Sequence, residues 1–217
     1  LRRATTINGP IYLFARDIEI RSPLEATSSL ISVEGEAAND FNGSLSNTSA
    51  GRITANELLI QNIHQTTLAD HNNVQVGRIA TQGGHRYLLN VPNNLEIGSI
   101  NGVNGLSASE FVVVRTTTGN ISLTQPVTST QNTGTPIVLH AGLLQDIGDP
   151  AGGDILVSGA GAVGLETGAM ARLFSGSEAN STGLTDLVGE ANVRFELDET
   201  SDLSGEGLTP TNAYALY

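Results

Sequence analysis

Large aliphatic residues recur at every second position along this chain, in runs of only two to four. Ile121 and Leu123 alternate with Ser122 and Thr124, Val127 with Thr128, and after a polar turn at 131–134 Ile137 and Leu139 flank Val138. A period of two sends successive side chains to opposite faces of a strand, so each run predicts a short β-strand with one buried face. Such strands are marginal alone and gain stability by stacking on neighbours. The pattern also returns: Ile60, Val76, Ile97, Val114 or Ile121, Leu139 and Val157 mark it at intervals mostly of about 16 to 24 residues. Stacked units of that length predict an all-β solenoid, with loops of unequal length extending outward at modest entropic cost.

Within 11–20, Ile11, Leu13, Ile18 and Ile20 predict two short strands bent at 15–17, and the pattern continues at 30–33. Residues 34–49 have turn chemistry throughout and predict a projecting loop. Alternation resumes at Ile53 and runs through 74–79, 87–91, 94–100 and 111–116. A helical alternative at 56–63 and 143–147 is outweighed by β-branched residues and by flanking Gly and Asn, so little helix is expected. After a turn at 149–153, strands are predicted at 155–157, 162–165 and 169–174. Residues 175–182 lack periodicity, and 193–197 and 213–217 are the last strand candidates. This divides the chain into rungs over 1–174, with a loop at 34–50, and a cap or transition segment over 175–217.

Composition narrows the function classes. The 217 residues contain no Cys, and all ten basic residues are Arg; 22 acids bring the net charge to −12. A disulfide framework and thiolate metal sites are excluded, and a chain without disulfides can pass unfolded through a membrane pore. The acidic balance argues against nucleic acid and against anionic membrane surfaces. No apolar run approaches the ~20 residues of a membrane span, so no membrane insertion is expected. A first residue Leu1 in place of Met, and a pattern that simply stops at Tyr217, predict a segment of a longer chain.

The run GNISLTQPVTSTQNTGTPIVLHAG, then GGDILVSGAGAVGLETGAMARLFSGSEANSTGLTDLVG, VRFELDET and AYALY, resembles the repeat region of filamentous haemagglutinin-like bacterial surface adhesins secreted by the two-partner pathway. The resemblance covers 119–217, and the N-terminal half more loosely. It implies a right-handed parallel β-helix, an outer-membrane secretion partner for the parent chain, an extracellular or cell-surface location, and attachment to host cells, other bacteria or biofilm matrix. In that family the secretion domain carries an Asn-Pro-Asn type signature. Here the nearest sequence is Val91-Pro92-Asn93-Asn94-Leu95, which places the segment C-terminal to such a domain.

Candidate chemistry is sparse. Glycoside hydrolysis needs two carboxylates facing one groove, about 5 to 9.5 Å apart. The densest acidic group, Asp146, Asp149 and Asp154, straddles turn-forming Gly and Pro, so the three are ordinary turn residues first and weak calcium candidates second. His64 and His71 with Asp70 match no standard metal spacing, and His85 and His140 stand apart. The best glycan-binding cluster is His85-Arg86-Tyr87 behind Gly83-Gly84, where a glycine turn would project an aromatic face and planar donors, although the plainer reading is a turn leading into the strand 87–91. Asp40 and Asn42, with Asn47, offer hydroxyl-binding groups on the 34–49 loop; Asn42, Asn47, Asn120 and Asn180 also head Asn-x-Ser/Thr sequons. The expected protein is therefore a non-catalytic adhesin segment with no cofactor, whose partner is a glycan, a polysaccharide or a surface receptor. The alternatives are a polysaccharide-degrading enzyme on the same scaffold and a spacer without a ligand.

Overall fold

A computed structural model describes residues 5–6, 8–35, 43–69, 73–145, 153–197 and 201–217. Most of its strands fall where the alternation runs, but residues 44–47, expected within a projecting loop, are instead a strand that buries Leu45 and pairs on both sides, with 17–20 and 65–67. The N-terminal part holds β1 (Thr5–Thr6), β2 (Ile11–Phe14), β3 (Asp17–Ile20), β4 (Leu24–Glu34), β5 (Ser44–Asn47), β6 (Ile53–Gln61) and β7 (Gln65–Leu68). The middle adds β8 (Val74–Gln82), β9 (Gly84–Val91), β10 (Leu95–Ile97), β11 (Ser99–Ile100), β12 (Val103–Asn104) and β13 (Leu106–Thr116). Then come β14 (Ile121–Leu123), β15 (Val127–Ser129), β16 (Gly134–His140), β17 (Ile155–Val157), β18 (Val163–Gly164), β19 (Ala169–Phe174), β20 (Val193–Arg194) and β21 (Ala213–Leu216). Residues 56–61 belong to β6 and not to a helix. The helix α1 (Leu184–Val188) was not anticipated; it buries Leu184 and Val188 in the core.

The molecule is all-β, built on long parallel sheets. One sheet has eight strands in the order β1-β4-β6-β8-β10-β14-β17, with β2 also on β4. The other has eleven, in the order β20-β21-β19-β16-β13-β9-β7-β5-β3, with β15 joining β13 to β18. The chain passes back and forth between them, so most interior strands pair in parallel with an earlier and a later strand of the same sheet.

Register turns this into columns of like residues. Ile11, Ile31, Leu58, Ile79, Ile97, Leu123 and Val157 lie side by side across the first sheet. Leu68, Leu89, Val114, Leu139, Leu173 and Ala215 do the same across the second. Nearly all of these are buried, each contributing roughly 1.5–3 kcal/mol where an aliphatic side chain is fully removed from water. Outward columns are mostly polar instead: Arg78 forks between Glu57, at 3.1 Å, and Glu96, at 2.9 Å, on the flanking strands.

Long strands turn corners by shifting phase. In β6 the inward residues are Ile53 and Ala55, then Leu58 and Ile60, so one residue is skipped between the halves. Between Ala26 and Leu30, β4 carries extra residues opposite Ala55 and Glu57, a bulge that re-aims the strand. One excursion folds back on the outer face. The antiparallel pair β11 and β12 turns at Asn101 (φ 50) and Gly102 (φ 83), the tight-hairpin geometry that an Asn-Gly pair favours. It sets Ile100 and Val103 over Leu30, Leu59 and Ala80. At the C-terminal end, Leu197, Leu203 and Leu208 cover a second outer cluster of Phe174, Tyr214 and Leu216.

Candidate functional site

The corner entering β9 is where the sequence placed its best binding cluster, and the backbone there is set by two glycines. Gly83 has φ +74, and a Cβ on it would meet the Asn62 side chain at 2.6 Å; Asn62 occupies the same corner one unit earlier with φ 55. A Cβ on Gly84 would meet the Tyr87 hydroxyl at 2.1 Å and the Ile63 carbonyl at 2.6 Å. Gly84 is therefore required by what packs beneath it.

That packing corrects the assignment of Tyr87. Its ring points inward, 3% exposed, in a column with Thr66 and Val112. The small Thr66 and the missing Gly84 side chain leave room for the phenol, and burial pushes its pKa up to about 12. No aromatic face is offered to a ligand at this position.

His85 and Arg86 do lie at the surface, and the structure brings them to residues distant in sequence. The His85 and His64 rings pack against each other in a tilted pair, with centroids 4.2 Å apart and an interplanar angle of 33°. Glu110, from the next strand, sits with Oε1 3.7 Å from His85 Nδ1 while Arg86 pairs with its other oxygen. The Arg86 hydrogen bond holds the Glu110 carboxyl below the ordinary range. Burial first, then the neighbouring His85, lowers the His64 pKa. Arg86 also stands over the Phe111 ring at 5.6 Å. Beside His85 runs a shallow groove of ≈ 250 Å³ between Gly83 and the hydroxyl-bearing Ser107, Ser109 and Thr130. Thr130 Oγ1 donates to the Ser109 carbonyl at 3.3 Å, and the Ser109 hydroxyl is buried without a partner. The site thus combines a hydroxyl-lined slot with an imidazole pair and one carboxylate already committed to an arginine.

The other candidates disperse. Asp40 and Asn42 lie outside the described residues, as do Asp70, His71, Asp146 and Asp149. Asp154 is buried and accepts from the Ser177 amide at 3.0 Å, which makes it a corner brace. His140 is buried against Phe174, with ring centroids 5.0 Å apart. Among the described residues, no group of three or more His, Asp or Glu could hold a metal ion, and no helix is long and apolar enough to cross a membrane. Two sequon asparagines brace turns: Asn47 donates to the Gly51 carbonyl, and Asn120 Oδ1 accepts from the Gly153 and Asp154 amides. Glu110, Ser109 and Thr130 escaped the sequence reading because nothing local connects them to His85; only the parallel register does. Comparison of the chain with protein-family models, with curated proteins and with solved structures finds no match in any of the three.

Proposed function

We propose that the chain is a right-handed parallel β-helical segment of a secreted, filamentous haemagglutinin-like bacterial adhesin, non-catalytic, which holds a glycan-binding surface on a stiff stalk. The observation that carries the reading is the alternation of the chain between two parallel sheets, with aliphatic columns inside and polar columns outside. A coil of that kind is rigid along its length, and each corner is a place for side chains to project. The groove beside His85 supplies such a corner, with hydroxyls and an imidazole pair for a saccharide. A parent chain without disulfides, at least over this segment, suits passage through an outer-membrane partner before folding outside the cell.

A glycan and matrix-polysaccharide array on the purified segment tests this, with the same samples analysed for cleavage products. Binding without new reducing or unsaturated ends is expected. Released ends would replace the adhesin with a polysaccharide-degrading enzyme, and an inert segment would leave a spacer.

A further inference from the structure

Tyr12 and Phe14, 69% and 66% exposed, are two of the large apolar side chains left most open to water among the described residues. They lie on β2, where Ile11 is buried and Leu13 packs against the core. The alternation that turns Ile11 and Leu13 inward turns both aromatic rings outward. At about 3.3 Å per residue they stand roughly 6.6 Å apart on one face. In register with Phe14 runs a polar row, Glu34, Gln61 and Gln82, in which Gln61 Nε2 approaches Gln82 Oε1 at 3.4 Å. In register with Tyr12 runs Ser32, Leu59 and Ala80, the last two covered by the β11–β12 hairpin. The open strip is thus an aromatic pair flanked on one side by amides and a carboxylate.

We propose that Tyr12 and Phe14 form a stacking platform for the pyranose faces of a neutral polysaccharide, with Glu34 and Gln61 taking the hydroxyls at the ring edges. The proposal rests on the glycan-binding reading above and moves the principal contact away from the His85 groove. Size selects the occupant. Two aromatic side chains offer at most about 150–250 Å² each, short of the ~800 Å² per partner of a stable protein interface, yet ample for one or two sugar rings. The apolar face of a pyranose lies flat on an aromatic ring while its hydroxyls need polar partners at the rim, and this strip supplies both. Charge selects the sugar: among the described residues the ionisable group in register with Phe14 is Glu34, and a chain of net charge −12 repels anionic glycans.

The test uses cellohexaose, chitohexaose and mannohexaose, with aromatic-ring NMR and calorimetry on the wild-type segment and variants. Expected are shifted Tyr12 and Phe14 ring signals with at least one hexaose. Tyr12→Ala or Phe14→Ala should weaken binding about tenfold or more with unchanged melting temperature, since neither ring is buried. Phe14→Tyr should retain binding and Phe14→Leu lose it. Binding that survives both alanine changes overturns the platform; if His85→Ala or Ser109→Ala abolishes it instead, the glycan-binding reading stands and this site does not. Phe14→Leu behaving as wild type refutes aromatic stacking. No binding to any hexaose also overturns the platform, while array binding to another glycan would still uphold the wider reading.

Discussion

Tyr87 supports the corner at β9 from below. Its phenol fills the space that Gly84 leaves and spans the column between Thr66 and Val112. Tyr87→Ala should therefore cost about 3–5 kcal/mol, as emptied aromatic sites do, read as a fall in the chemical-denaturation midpoint. Because the folded pKa is raised to about 12 from an ordinary 10.0, its stabilising effect is complete below pH 10 and is lost as pH rises toward 12. Ultraviolet titration should show a tyrosine still ionising well above the ordinary 10.0, and Tyr87→Phe should remove that late step. His64 works in the opposite direction. Its pKa is lowered from 6.5 by burial and by His85, so the unfolded chain binds a proton more readily. Stability falls as pH drops through 6.5 and levels off below the folded value. Melting curves at about pH 7.5 and about pH 5.5 should converge in His64→Gln relative to wild type; equal slopes for the two proteins would refute the assignment.

At the scale of elements, the β11–β12 hairpin is a cover. Leu59 and Ala80 are outward residues on strands whose outer faces are otherwise mainly polar, and they are dry because Ile100 and Val103 sit on them. The hairpin's base is already closed, since the Gly105 amide donates to the Gly98 carbonyl at 2.9 Å. Replacing residues 99–104 by Gly-Gly should leave the parallel ladders in place while exposing an apolar strip. Enhanced binding of a hydrophobic dye with native-like circular dichroism is the expected outcome. Dye binding equal to wild type would mean that the strip is covered by something else.

For the whole molecule, stability is shared between neighbouring units through the columns, so a charge inside one column is felt on both sides. Ile121 contacts Leu95 and Ile155 in register, and Leu139 contacts Val114 and Leu173; Ile121 and Leu139 are each 0% exposed. Ile121→Asp or Leu139→Asp places an unpaired carboxylate in the dry interior, a loss of several kcal/mol. Loss of cooperative melting or aggregation is expected. A melting temperature unchanged from wild type would show that these side chains do not face the core.

Which residues point inward was legible locally. The strands at 121–123, 155–157 and 169–174 coincide with the alternation, because a period of two is a property of the strand itself. The same logic covered Ile11 and Leu13, and so the outward aim of Tyr12 and Phe14. It also covered Tyr87, which shares parity with the buried Leu89 and Val91, but an amphipathic side chain behind two glycines reads equally well as a projecting turn. The five-residue helix α1 is too short for a helical period to stand out from its Gly- and Ser-rich surroundings. Which rows become neighbours was decided by tertiary structure alone. Corner glycines, bulges and unequal loops set the register, and a one-residue difference in any of them would bring other side chains together. Hence the packing of His64 against His85, the approach of Glu110 to both His85 and Arg86, and the polar row beside Phe14 exist only once the parallel sheets have assembled.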